Sequence, residues 1–546
     1  MNEMTTAEVS AAEFSVIKSS LDAAVREMSV NLRRSAFSSI VREMRDFAVA
    51  IMDSKGEVVA QAECIPIMTA GLSLAFRAMD ELGELDDLTE DDAFLMNDPY
   101  SGGQHLQDVY LFSPLFDSEG VHVGFAANTA HHVDLGGAHA GLTANATELF
   151  QEGLRFPMSR FSVSRDFDAP AGFVRRFLAG NVRTPDAVLG DLRAQFAANN
   201  TAALRLREAI DKFSRDKVLS VMEQLKNYSD QRTRAAIERI PDGVYEAEDF
   251  FEYDEAERVR IAVAVRVEGS NLHIDFTGTD PQVKKPLNCP LASAVSAAQS
   301  AVRCMLDDPD IDFNEGCNRA LSFNVPKGSV LNPNFPAPVR SRLTPASRVF
   351  NAIVKALGKA VPDRAVATGF DSSTAVSLSS LGADGKYQVV VELVGHGWGA
   401  CSDHAGADGL DNPISNCANA PVEALELDYD HFEVDEYSLR RESAGSGEHR
   451  GGYGVRRIYR ATHDGVQVTG YSDRQTTGPE GVFGGGAGAP GTHILEYADG
   501  RRERLPLMYE LVLSEGDRII VETGGGGGYG TAEESASTTQ EDRALV

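Results

Sequence analysis

Apolar residues recur at three- and four-residue steps at Phe14, Ile17, Leu21, Val25, Met28 and Leu32, and charges fill the positions between them. That period predicts an amphipathic helix over residues 11–44. The pattern then changes. "DFAVAIMDSKGEVVAQA" reads as an apolar strand, a Ser-Lys-Gly turn and a returning strand. "DELGELDDLTEDDAF" reads as an acidic surface loop. Further on, "VYLFSPLFDSEG" predicts strand, turn and return, and the returning strand runs from Val121 to Ala127 toward His131 and His132.

A long helical stretch is expected over about 196–238, closed by "IPDGVY". Val259, Ile261, Val263, Val265 and Val267 then alternate along "VRIAVAVRV", which turns into "LHIDF" as a hairpin with one buried face. Residues 289–306 and 344–360 carry Leu, Val and Ala at helix-core spacing. From about 430 the chain reads as short strands and glycine turns, including "GSGEHRGGYGVRR", "GPEGVFGGGAGAPG" and "TGGGGGYG". The expected class is mixed α/β (α+β) and multi-domain. Soft boundaries near 240 and 430 give an N-terminal α/β region 1–240, a central α/β region 241–430 and a glycine-rich β region 431–530. A polar, disordered tail is expected over 531–546.

Composition narrows the setting. At 546 residues the chain exceeds what one core serves, and 42% apolar with 24% charged residues is ordinary for a soluble globular protein. A net charge of -30 argues against nucleic acid or an anionic membrane as partner. Six scattered cysteines without a C-x-x-C predict reduced thiols. No basic, apolar leader opens the chain and no apolar run is of membrane length, so a cytoplasmic protein is expected.

The candidate chemistry sits in two short stretches. "NDPYSGGQHLQDVY" holds His105 and Asp108 after a turn-forming run, and a turn brings positions three apart to one side. An imidazole and a carboxylate there suit a divalent zinc, manganese or iron ion. "ANTAHHVDLGG" adds His131, His132 and Asp134 at the end of the neighbouring strand. Antiparallel pairing would set the two ends side by side. Consecutive histidines face opposite sides of a strand, so only one of the pair shares a site with His105. The alternative is a hydrogen-bonded polar cluster. A third stretch, "GHGWGACSDHAGADG", gathers His396, Trp398, Cys401, His404 and Asp408 as a flexible loop that could close over a substrate, pack at an interface or hold a second metal. The chain has no P-loop and no G-x-S-x-G elbow, and its glycine runs lack a dinucleotide-binding context.

Six ordered motifs carry a resemblance: "RDFAVAIMDSKGEVVAQAECIP", "NDPYSGGQHLQDVYLFSPLF", "AHHVDLGG", "ATELFQEGLRFP", "NVPKGSVLNPNFPAPV" and "GGGGGYG". Together, from about residue 12 to 530, they resemble the hydantoinase B family. That family holds β subunits of ATP-dependent N-methylhydantoinases, 5-oxoprolinases and lactamases such as caprolactamase, and α-type subunits of acetone and acetophenone carboxylases. The resemblance implies a partner, a hydantoinase A-type ATPase that binds ATP and magnesium and phosphorylates the substrate's oxygen. The B-type chain then completes the reaction at a divalent metal. In the carboxylase branch of that family the ligands lie in the motifs matching "HLQD" and "AHHVD". Carried over residue by residue they are His105, Asp108 and His131, with His132 and Asp134 left as candidates for orientation or proton transfer.

The resemblance departs at Met68 in "IPIMTAG", where relatives often carry a histidine, so a different substrate pocket is expected. The first expectation is hydrolysis of a hydantoin, 5-oxoproline or lactam within a hetero-oligomer holding two or more copies of each chain. A subunit of a ketone carboxylase is the alternative, disfavoured by a chain shorter than such subunits tend to be. A non-catalytic scaffold is the third.

Overall fold

The computed structural model describes residues 8–62, 65–382 and 384–532. Most of the expected tail, residues 533–546, lies outside them, as does Cys64.

The chain opens with α1 (Ala11–Ser35), capped where Ser10 and Glu13 bond each other's backbone N–H. The predicted helix to residue 44 is interrupted. Ala36 turns to extended backbone, and Asp191 Oδ1 accepts from the N–H groups of Phe37 and Ser38 at 2.7 and 3.1 Å. A short α2 (Ser39–Arg42) follows. Strands β1 (Phe47–Met52) and β2 (Val58–Gln61) form the predicted hairpin, and α3 (Pro66–Leu82) comes next. Helix α3 takes the first residues of the expected acidic loop and ends at Gly83, with φ 66°. Strand β3 (Asp92–Met96) takes the last of them.

With β4 (Asp108–Phe116), β5 (His122–His131) and β6 (Ser159–Ser162), these strands form one antiparallel sheet in the order β2-β1-β5-β4-β3-β6. Both faces are covered. Phe112 and Phe125 meet Phe76 of α3 at ring distances of 6.1 and 5.1 Å. The other face packs on a helical layer that includes α4 (Phe173–Ala179) and α5 (Pro185–Phe213). The helix expected over 196–238 is two: α5 gives way at Ser214, whose φ of 81° breaks the turn, to α6 (Arg215–Ile237).

A second sheet joins β7 (Gly243–Glu252), β8 (Arg258–Glu268), β9 (Asn271–Asp275) and, parallel to β9, β10 (Leu321–Asn324). Helices α7 (Leu291–Met305) and α8 (Leu343–Ala360) pair, and α8 lies on β7 and β8. A third sheet runs in the order β12 (Tyr387–Leu393), β11 (Ala375–Leu381), β15 (Val466–Tyr471), β18 (Met508–Leu513). After α9 (Val422–Asp428), the fourth is β13 (Phe432–Arg440), β14 (Gly454–Ala461), β19 (Arg518–Glu522), β16 (Thr492–Glu496), β17 (Arg502–Arg504).

The glycine runs are not loose loops. Segments around 395–399, 445–454, 478–488 and 524–528 lie against one another, cross-bonded by pairs such as Gly526 N–H to Gly452 O at 2.9 Å and Gly452 N–H to Trp398 O at 2.8 Å. A Cβ on Gly526 would stand 1.8 Å from Trp398 O, and one on Gly478 would stand 1.8 Å from Gly488 O. Only glycine lets the backbones come this close. The stretch holding His396 is one arm of this bundle, and His396 itself is fully buried.

Candidate metal centre

Register builds the site. Asp108 opens β4 directly opposite His131 at the end of β5, and β1 pairs Phe47 with Ala130 on the other side. Asp46, just before β1, therefore lies beside His131, whose N–H bonds Asp46 O at 3.0 Å. Side chains alternate along a strand, so Asp46, Asp108 and His131 share the sheet face covered by α3. His105 joins them from a turn closed by Asp108 N–H to His105 O at 3.0 Å. Upstream, "PYSGG" makes a tight turn with Asp98 accepting from Tyr100 N–H, and Gly102 at φ 99° fits against Leu74 O.

The donors converge. His105, Asp108 and His131 each offer a ligand atom within 4.8 Å of the others. His105 Nδ1 lies 2.8 Å from Asp108 Oδ2 and His131 Nδ1 lies 3.8 Å from Asp108 Oδ1 and 3.5 Å from Asp46 Oδ2. The close His105–Asp108 contact lacks hydrogen-bond geometry: His105 Nδ1, Asp108 Oδ1 and His131 Nε2 are all buried without a hydrogen-bond partner. Buried polar atoms are rarely left so, and a cation would satisfy them. Burial, then the charges of Arg342 and Arg340, hold His105 well below its usual pKa of 6.5. Burial and His105 do the same to His131. Neutral imidazoles need shed no proton to ligate. Burial raises Asp108, and burial with Asp108 pushes Asp46 up to about 8. Two imidazoles and a carboxylate fit zinc, manganese or iron.

The other predicted residues go elsewhere. His132 faces α5, with Nε2 2.9 Å from Gln195 Oε1, in a buried network with Asn128 and Asn199. Asp134 accepts from the Arg183 guanidinium at 3.0 Å and the Arg183 N–H at 2.5 Å, tying the Gly-Gly turn to the approach to α5. Neither meets the triad. On the glycine bundle, half-buried Cys401 has its Sγ 3.1 Å from Oδ1 of exposed Asp403 and 3.2 Å from Nε2 of exposed His404, while His396 sits buried apart from them.

Sequence reasoning missed Asp46, Arg340, Arg342 and Glu152. Asp46 needs the β1–β5 pairing, which the hairpin pattern alone does not specify. The arginines stand alone in the apolar run "APVRSRLTPA". Glu152 Oε1 accepts from the N–H groups of Val339 and Arg340, each at 2.9 Å, and Tyr100 Oη donates to Ala337 O at 2.6 Å. Both fix the segment that carries Arg342 to Asp108 at 2.7 Å. Burial lifts the Glu152 carboxyl to about 7. The cavity bordered by Asp46, His105, His131, Arg340 and Arg342 is about 20 Å³, room for one water-sized occupant, with Ile65, Ile67, Leu142, Val391, Leu393 and Tyr471 among its other walls.

A mixed fold that sets a buried two-histidine, one-carboxylate cluster on two adjacent strand ends and the turn before one of them defines a candidate metal-centred protein with a small chamber walled by apolar and charged side chains. The chain belongs to the hydantoinase B/oxoprolinase family, whose model matches residues 10–532. It is 33% identical to the B subunit of a putative D-/L-hydantoinase of Pseudomonas sp. (strain NS671), over 80% of this chain and 76% of that one. It is 27% identical to the β subunit of the caprolactamase of Pseudomonas jessenii, over 94% and 90%. It is also 28% identical to the 5-oxoprolinase of Saccharomyces cerevisiae, over 92% of this chain but only 40% of that one. The crystal structure of the ATP-dependent caprolactamase of P. jessenii superposes with TM-score 0.85 at 26% identity, covering 96% and 91% of the two chains. Nucleotide-free acetone carboxylase shares the fold, with TM-score 0.86 at 16% identity over 97% and 77%.

Proposed function

We propose that this chain is the hydrolytic, B-type subunit of an ATP-dependent cyclic amide hydrolase, acting on a hydantoin, 5-oxoproline or lactam activated by an A-type ATPase partner. The observation that carries the reading is the buried convergence of His105, Asp108 and His131, with their unpartnered donor atoms, in a chain of this family.

The division of labour has a chemical reason. An amide carbonyl is a weak electrophile, and O-phosphorylation by a partner gives an imidate phosphate whose carbon accepts water. The B-type chain must then deliver that water and pass a proton to the ring nitrogen, so that the C–N bond breaks and the ring opens to an acyl phosphate. A second water cleaves the acyl phosphate to carboxylate and phosphate. His105, Asp108 and His131 would hold the divalent ion. When bound, such an ion supplies Lewis acidity that lowers the pKa of water from 15.7 to about 7. Arg342 fixes the Asp108 carboxylate at 2.7 Å and keeps it oriented. Asp46, beside His131, is the acidic group placed to accept a proton or complete the ligand set. The apolar wall excludes bulk water from an activated intermediate. A ring substrate exceeds this cavity of about 20 Å³, so admitting one requires its walls to move.

A screen of cyclic amides with ATP and the ATPase partner tests this reading. Ring opening with ATP cleavage is expected. Turnover of ketones with bicarbonate, and of no cyclic amide, would assign the chain to carboxylation instead.

A further inference from the structure

Arg340 is 2% exposed and makes no ion pair within 4.0 Å among the described residues. Its Nη2 donates to Gly141 O at 2.5 Å, and its Nη1 is buried without a partner. The neighbouring carboxylate, Glu152, commits Oε1 to the Val339 and Arg340 backbone N–H groups. Arg342 sits alongside, with one bond to Asp108 and a second, at 3.2 Å, to Gln104 Oε1, and its Nε has no partner. Both arginines line the same cavity as His105 and His131.

Burying a guanidinium without a counter-charge is costly, and such cations persist where a ligand supplies the missing anion. A lone buried lysine could shed its proton. Arginine does not, and its planar fork matches the oxygens of phosphate or carboxylate. The backbone around it is also held: Glu152, Tyr100 and the Ser341 N–H bond to Pro286 O at 2.7 Å fix residues 337–342 before α8 begins. The arrangement is a prepared receptor, not a surface charge.

We propose that Arg340, assisted by Arg342, is an anion receptor that binds one oxygen of the substrate's anionic group within the cavity bordered by His105 and His131. The identity of that anion rests on the function proposed above: it is the transferred phosphoryl group, or a carboxylate carried by the substrate itself. Bound there, the anion is held in the cavity that His105 and His131 also border, and a phosphate departing from the acyl phosphate is neutralised by the guanidinium as its C–O bond breaks.

The test is binding, measured apart from turnover. The purified full chain is titrated with inorganic phosphate and, separately, with acetate, at constant ionic strength held by chloride, following the unfolding midpoint and calorimetric heat. Saturable stabilisation of the wild-type chain is expected, and Arg340→Met should weaken it roughly tenfold or more, the scale of lost charge-assisted bonds, with metal content unchanged. A response to phosphate assigns the phosphoryl group, and a response to acetate alone assigns the carboxylate. Should Arg340→Met fail to fold, Arg340→Lys, which keeps the charge but not the fork, is expected to weaken binding in the same direction. The inference is overturned if the wild-type chain binds neither anion, or if the folded variant binds both as tightly as wild type. In the complex, unchanged KM and kcat for Arg340→Met would also overturn it, while leaving the hydrolase reading intact. Phosphate binding through Arg340 in a chain that opens no cyclic amide would leave the receptor and remove the reaction.

Discussion

His131 and His132 are neighbours in sequence and face opposite sides of β5, one toward Asp108 and the other toward Gln195. The strand's period of two was legible in "AHHVD", and so was the rule that only one histidine could join His105. Which partner each would meet was not, because Gln195 and Asp46 come from segments far away in sequence. The geometry gives distinct expectations for the pair. His131→Ala should lose bound metal. His132→Ala should keep it, leave the pH profile of turnover unchanged, and lower stability by about 1–3 kcal/mol by orphaning buried Gln195. Elemental analysis and denaturant unfolding of both variants check this, and metal loss in the His132 variant alone would reverse the assignment.

A second residue-scale expectation concerns His493, fully buried and held down to about 3 by burial, with Nδ1 3.0 Å from Tyr509 Oη. In the unfolded chain this imidazole protonates near 6.5, whereas in the folded chain it stays neutral until about 3. The unfolded state thus binds more protons below pH 6.5, and stability falls as pH drops through that window. Relative to His493→Gln, which lacks this titration, the wild-type chain should lose about 1.4 kcal/mol per pH unit below pH 6. Parallel urea unfolding at pH 7 and pH 5 measures it; equal losses in both proteins would contradict it.

Among the elements, those with strong local periodicity were legible: the β1–β2 hairpin, the β8–β9 hairpin and the two helices α7 and α8. Helix ends were less so. Asp191 draws the backbone N–H groups of Phe37 and Ser38 out of a helix, a contact across 154 and 153 positions that no local pattern encodes. The glycine runs misled most. Their composition reads as flexible, yet their purpose is close backbone approach, visible only once several segments are stacked. Gly526→Ala should therefore destabilise by about 3 kcal/mol, the upper range of overpacking. Gly358→Ala, inside α8 with Ala365 Cβ at 3.4 Å, should be neutral or stabilising by helix propensity. Thermal unfolding of the two variants separates them. Equal, small effects would mean that the bundle yields.

For the whole molecule, the lengths of its relatives bear on how the work is divided. This chain spans 90% of a subunit in one relative and 40% of a longer single chain in another. Among the described residues no helix is long and apolar enough to cross a membrane. Relatives that are themselves subunits support a partner for this chain. The isolated chain is expected neither to cleave ATP nor to open a ring, and addition of an A-type partner should restore both. Ring opening by the isolated chain without ATP, at the rate of the complex, would contradict the two-subunit account.

The central claim is that His105, Asp108 and His131 hold a divalent metal on which activity depends. Elemental analysis of the active complex, beside one carrying His105→Ala, tests it most directly. The account predicts about one equivalent of a transition metal per chain in the wild type, and loss of both metal and turnover in a folded His105 variant. Full activity with less than about a tenth of an equivalent of any such metal would contradict it.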